Sequence, residues 1–263
     1  MTITVVRAGG RKADQLRPIS LSYGICGNAD GSVLFSMGNT KVLCTVVMQE
    51  GVPHFLRGKK EGWLTAEYSM LPAATHTRTV REAAVMKRCS RSLEISRLIG
   101  RSLRSIVDLT VLGERTIYID CDVIQADGGT RTAALTGAYC AIRHALQGPW
   151  SSWIKGNFLK DSLAAISVGW KENQALLDLD FEEDASIDAD FNFVMTGSGK
   201  MVEIQGTREK HPLSWDAVQK MQVFAAQGIQ DLLVHVAASQ ADSSVDEPSR
   251  AGFTLGKTAV QRS

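Results

Sequence analysis

A strand that runs into a helix through a pair of glycines constrains this chain more than any other feature. From Arg115 to Ile124 the apolar side chains Ile117, Ile119, Cys121 and Val123 alternate, which is the period of a half-buried strand. Leu135, Ala138, Tyr139, Ile142 and Leu146 then recur at the spacing of one helix face. Between the two stands Gln125-Ala126-Asp127-Gly128-Gly129-Thr130-Arg131-Thr132. Glycine lets backbone N–H groups approach a ligand closely. A helix start leaves its first N–H groups unpaired and carries the positive end of the helix dipole. Thr130 and Thr132 add hydroxyls, and Arg131 adds a planar fork suited to phosphate. The stretch reads as an anion site, above all for phosphate. A plain helix start capped by Thr132 has the same pattern. Neither the Walker loop nor the dinucleotide fingerprint is present.

Elsewhere the pattern runs strands first and helices later, twice. Strands are expected at Ile19–Tyr23, Gly31–Met37, Lys41–Met48 and Trp63–Leu71, with a hairpin turn at Gly38-Asn39-Thr40. Thr79 and Glu82 have capping-box spacing, which predicts a helix start there, with His76, Arg78 and Arg81 in and just after its entry loop. His76 suits a hydrogen-bonded structural role as well as a catalytic one. A helix over Arg91–Val107 puts Ile95, Leu98, Ile99, Leu103 and Ile106 on one face, with Arg97, Arg101 and Arg104 largely off it. Arg91 at its start opposes the helix dipole, a mismatch that a bound anion would relieve. Gly148-Pro149 ends the central helix, and Trp150–Lys160 reads as a connection. Strands follow at Leu163–Trp170, Ala175–Phe181, Phe191–Thr196 and Met201–Gln205, then a helix from Pro212 and Ser214 to about Ala237. The class is α+β, in two parts: residues 1–155 and 156–238, with a polar, poorly ordered tail over 239–263.

Charge is distributed unevenly in a chain of net charge +1. Arg57–Arg104 carries eleven Lys/Arg against four Asp/Glu, whereas Asp178–Asp190 carries seven acids and no base. The first reads as a polyanion tract and the second as a cation site; two solvated faces of opposite sign have the same composition. Clustered carboxylates such as Asp184 and Asp190, expected across a turn between two strands, suit Mg²⁺ with waters and substrate phosphates. The five cysteines (Cys26, Cys44, Cys89, Cys121, Cys140) show no CxxC spacing, which fits reduced thiols in a cytoplasmic protein. No signal peptide and no membrane-spanning apolar run is seen in the sequence.

Several runs together resemble the ribonuclease PH family of phosphate-dependent 3′→5′ exoribonucleases, which trim tRNA precursors. They are Gln15-Leu16-Arg17-Pro18, Thr40 to Thr45, Gly62 to Tyr68, Thr75-His76-Thr77-Arg78 and, most specifically, Asp120 to Thr132. Glu183-Asp184, Asn192, Val194-Met195-Thr196 and Glu203 to Thr207 continue the likeness. It implies two βαβα-type subdomains, a homo-hexameric ring built as a trimer of dimers, RNA as partner and inorganic phosphate as cosubstrate. It implies phosphate binding at Arg91, Gly129, Thr130 and Arg131, a catalytic or metal pair at Asp184 and Asp190, and RNA entry along Arg78 and Arg81. The chain departs from the family pattern at three places. Cys89-Ser90 replaces the usual Gly-Gly, Ala73 replaces a usual arginine, and the loop from Arg57 to Glu61 is more basic than usual. Lys59, Lys60 or Arg88 is expected to supply the missing RNA contact. The activity implied is phosphorolysis, reversible as 3′ nucleotide addition; the alternatives are a non-catalytic RNA-binding ring subunit and a hydrolytic metal nuclease.

Overall fold

The computed structural model describes residues 7–85, 89–208 and 211–243. The chain forms two sheets. The first has five strands in the order β1 (Ile19–Tyr23), β2 (Gly31–Met37), β3 (Thr40–Glu50), β5 (Arg115–Gln125), β4 (Trp63–Met70). The second has four, in the order β7 (Gln174–Leu177), β6 (Leu163–Lys171), β8 (Ala189–Thr196), β9 (Met201–Arg208). All described pairings are antiparallel except β4 with β5, whose crossover is helix α1 (Ser90–Arg104). β2 and β3 meet through Gly38-Asn39, as the turn residues predict.

Helix α2 (Thr130–Gln147) joins the halves. It packs on β2, β3 and β5 of the first sheet and on β6 of the second. The sequence predicts one apolar face, but 13 of its 18 residues are buried. The second buried surface is made of Ala133, Ala134, Thr136, Gly137, Cys140 and Ala141, small residues that register weakly as hydrophobic periodicity. A side chain at Gly137 would lie 2.7 Å from the Cys44 sulfur, so helix and sheet approach closely there. Helix α4 (Trp215–Ser243) packs on β6 and β7 and reaches β1 through Ala217, Met221, Ala225, Ile229, Leu232 and Val236. It outruns the expected end near Ala237, and Tyr23 of β1 pairs with Ser239. Residues 244–263, most of the expected tail, lie outside the described residues.

One other expectation changes. No α-helix starts at Thr79: residues 72–81 fold back in turns, with Thr79 N–H donating to Pro72, and Glu82–Val85 makes only a 3-10 turn. Glu82 instead accepts from the Ser92 hydroxyl in the first turn of α1. The connection after α2 is packed against the first half. Trp150 is fully buried with its indole N–H on Asp30 (2.9 Å), and Leu159 bridges to Val107.

Candidate phosphate and acid site

The glycine pair sits where the halves touch. Gly128 and Gly129 have φ of 73° and 63°, in the left-handed region that glycine alone enters freely. A Cβ on Gly128 would lie 2.5 Å from the Leu179 carbonyl of the second half, so only glycine fits. The loop is fastened from below. Thr40 donates its hydroxyl to Gly128 O (2.6 Å) and receives the Asp127 N–H (3.0 Å), and Asn39 donates to the Asp127 carboxylate. Arg17, only 5 % exposed, donates to the Asp127 carbonyl and pairs with the fully buried Asp178 at 2.7 Å. Burial opposes the charge on Arg17, but the bond to Asp178 and the nearby Asp127 and Asp180 carry its pKa above the ordinary arginine value. No local pattern marks this role of Arg17, whose partner lies 161 residues away.

At the head of α2, Thr130 is buried with its hydroxyl 2.8 Å from the Tyr68 hydroxyl on β4. Burial raises the Tyr68 pKa while Arg91 and Arg131 pull it back, so all three side chains share one electrostatic neighbourhood. Tyr68 is a site residue that periodicity did not reveal, since it alternates inward like any core aromatic. Arg131 donates to Gln205 (3.0 Å) on β9 and to Glu94 (3.3 Å) on α1. Arg91 lies exposed in the first turn of α1, after Cys89, whose side chain makes no cap.

The acids come from the second half. Asp184 is not in a turn between strands: it lies on α3 (Phe181–Ser186), a short helix with a full capping box. Asp180 accepts the Glu183 N–H (2.9 Å), and Glu183 accepts the Asp180 N–H (3.2 Å). Arg7 and Arg11 both pair with Glu183, tying α3 to the N-terminal segment. Asp190 lies on β8. Burial raises the Asp184 carboxyl above the usual range, against the pull of Arg91 and Arg131. Burial and then the charge of Asp184 raise Asp190, with Arg131, Asn192 and Arg91 opposing. Both acids thus feel the charge of both arginines. Asn192 donates to one Asp190 oxygen (3.3 Å); the other, Oδ1, is buried without a hydrogen-bond partner. Among the described residues no group of three or more His, Cys, Asp or Glu could hold a metal. A cation held here would have two protein carboxylates and would complete its shell with water and substrate phosphate oxygens, which suits Mg²⁺.

The RNA-side residues divide. Ala126 N–H donates to Ala74 O (2.8 Å), which brings the exposed segment with Ala73, His76, Arg78 and Arg81 beside the glycine loop. Lys59 and Lys60 are elsewhere. Their loop is held by Gly58 N–H on Glu114 (2.6 Å) and Gly62 N–H on Leu109, at the start of β5. The phosphate loop follows its end, eleven residues on, or roughly 35 Å at about 3.3 Å per residue. Arg88 lies outside the described residues.

Both halves of the chain match known proteins. Residues 15–146 match the profile of the 3′ exoribonuclease family, domain 1, and residues 161–228 that of its domain 2. The chain is 53 % identical over 226 residues to "Ribonuclease PH" of Neisseria meningitidis serogroup B (86 % of this chain, 93 % of that one). It is 52 % identical over 230 residues to "Ribonuclease PH" of Bacillus subtilis (87 % and 94 %). Similar solved folds include rice Rrp46 (TM-score 0.73, 19 % identity, 89 % of this chain and 99 % of that one). Another is an Archaeoglobus fulgidus exosome with RNA bound to the active site (TM-score 0.72, 21 % identity, 87 % and 92 %). With both domain models matched in order and about half of the residues identical over most of its length, the chain belongs to the 3′ exoribonuclease family, alongside the ribonuclease PH enzymes.

Proposed function

We propose that Arg91, Gly129, Thr130 and Arg131 hold inorganic phosphate while Asp184 and Asp190 act on the 3′ end of an RNA. The chain is a phosphate-dependent 3′→5′ exoribonuclease, a nucleotidyltransferase-class enzyme. A phosphate oxygen attacks the phosphorus of the terminal phosphodiester. The bond to the 3′ oxygen of the preceding nucleotide breaks, a nucleoside diphosphate leaves and the 3′ oxygen takes a proton. One anhydride replaces one ester, so the reaction also runs backwards as 3′ nucleotide addition. The observation that carries this reading is the meeting of the two halves at the glycine loop, where Gly128 lies against Leu179 and Asp180, Phe181 N–H donates to the Asp127 carboxylate and Arg131 donates to Gln205. Positioning and charge neutralisation account for most catalysis in phosphoryl transfer. Asp184 and Asp190 would hold Mg²⁺, which when bound supplies further positive charge to the phosphates; the unpartnered Asp190 Oδ1 supports this. The alternative role for either carboxyl is general acid to the leaving 3′ oxygen, in place of holding the metal.

The rest of the reading extends from there. The substrate is the 3′ end of a tRNA precursor, led in along Arg78 and Arg81, with Lys59 and Lys60 touching RNA far from the cut. The functional division is residues 1–155, bearing the phosphate loop, and 156–238, bearing the acids. The assembly is a homo-hexamer, a trimer of dimers; its structural neighbours include an archaeal exosome core. Native mass spectrometry tests this, with six copies per particle expected. The cytoplasm is the proposed compartment: all five cysteines are free, and among the described residues no helix is long and apolar enough to cross a membrane.

The decisive experiment gives the protein a tRNA with a few extra 3′ nucleotides and Mg²⁺, with and without phosphate. Nucleoside diphosphates are expected, and only with phosphate. Monophosphates released without phosphate would mean hydrolysis, and bound RNA with no release would mean a non-catalytic ring subunit.

A further inference from the structure

Beside the acid pair two aromatic rings from different halves of the chain lie together at the surface. Phe181 opens α3 and is 51 % exposed; the ring of His76, also exposed, is 5.7 Å from it at an interplanar angle of 56°. A half-exposed phenylalanine leaves apolar surface in water, a cost that a covering ligand removes. This ring is not loosely placed. The Phe181 N–H donates to the Asp127 carboxylate (3.3 Å), the same side chain that anchors the phosphate loop through Asn39. Asp184 is three residues further along α3, hence on the same side of the helix. The partner ring belongs to the segment that carries Arg78, which Ala74 fastens to the end of β5. An aromatic surface is thus fixed at once to the phosphate loop, to an acid of the cluster and to a basic entry segment.

We infer that Phe181, flanked by His76, is a stacking platform for a base within the last few nucleotides of the RNA. The inference rests on the proposed RNA substrate. Every base offers a π-face, so stacking on an aromatic side chain holds a strand without reading its sequence. That is what an enzyme removing nucleotides one after another requires: each new terminal base meets the same ring. Arginines alone would hold the backbone and leave the terminal base free to swing, whereas a stacked base fixes the last phosphodiester relative to Asp184.

The test measures binding without phosphate, so that no turnover occurs. RNA octamers carry 2-aminopurine at one of the last four positions, and fluorescence is followed as full-length protein is added. In the unaltered protein, quenching is expected at one position above the rest. Phe181→Leu should abolish that quenching and weaken RNA binding on the order of 10-fold, as for one lost base–aromatic stack. Phe181→Tyr should keep both, and His76→Ala should lose part. An octamer lacking the base at the quenched position should bind the unaltered and Phe181→Leu proteins equally well. Equal quenching in the unaltered and Phe181→Leu proteins overturns the inference, as does a Phe181→Leu defect that persists on the abasic RNA. Phosphorolysis is read separately on the same preparations. Stacking without phosphate-dependent release would sink the catalytic reading and leave the platform standing; release unaffected by Phe181→Leu, with no quenching difference, would do the reverse.

Discussion

At Asp190 the proposed chemistry and the stability of the fold pull in opposite directions. Its carboxyl pKa is raised by burial and by Asp184, and one oxygen lacks a partner. A raised acid pKa means the folded state disfavours the charged form, so stability is lost as pH rises through that value. Asp190→Asn should therefore melt higher than the unaltered protein at pH 7–8, by roughly 2–4 °C per kcal/mol relieved. That gap should shrink as pH falls toward the ordinary carboxylate range near ~4. The same variant should lose at least ~10²-fold in phosphorolysis. An unchanged melting temperature at pH 8 would contradict the burial argument. Arg131→Ala should also cost about 10²-fold or more in kcat/KM, through lost transition-state charge; near-normal turnover would remove Arg131 from the mechanism. Tyr68→Phe should raise the KM for phosphate several-fold, the loss of one hydrogen bond of about 1 kcal/mol to Thr130, and leave RNA affinity unchanged. Of these three, Arg131 was legible because a positive fork after a glycine pair is a local signal. Asp190 stands out from the other acids of its segment, with Asp184, chiefly through the family resemblance, and the bond of Tyr68 to Thr130 is not legible at all, because it depends on a strand lying parallel beside β5.

Helix α3 shows what an element contributes. It is six residues long and carries Asp184, and a helix of that length is not stable by itself. Its capping box and the arginine pairs on Glu183 hold it. Asp180→Ala should cost about 1 kcal/mol of stability and lower kcat more than it raises the KM for phosphate, because Asp184 loses its place while Arg131 does not. Equal changes in both constants would argue against this separation. The spacing of Asp180 and Glu183 spells the cap, yet the sequence pattern carries a strand through to Phe181, because Leu177-Asp178-Leu179-Asp180-Phe181 alternates apolar and acidic residues and short helices have little period to display. The same competition produced the opposite error at Thr79, where capping-box spacing exists without a helix behind it. Local caps signal that an end is possible; burial of the following face decides whether a helix forms.

At the scale of the molecule, the two-sheet α+β layout was legible from alternating patterns, but not the helix shared by both sheets. The position of the Lys59–Lys60 loop was also hidden, since the loop is near Arg78 in sequence and at the far end of β5 in space. A Lys59/Lys60 double alanine variant should lower the salt slope of binding by up to about 1.4 for RNA long enough to reach that end, at ~0.7 per phosphate contact. It should leave the slope unchanged for short oligonucleotides, and a change with both lengths would place these lysines at the cut instead. The sharing of α2 has a further consequence for synthesis. The chain leaves the ribosome with α2 complete at Gln147, while β6, which covers its small-residue surface, arrives only at Leu163–Lys171, and the acids later still. Until then a nascent chain has a glycine loop without Leu179 and Asp180 to pack against, and no carboxylate pair. If Asp184 and Asp190 act as proposed, the growing polypeptide has no means to trim RNA beside the translating machinery, and activity begins only once the second half has emerged and folded against the first.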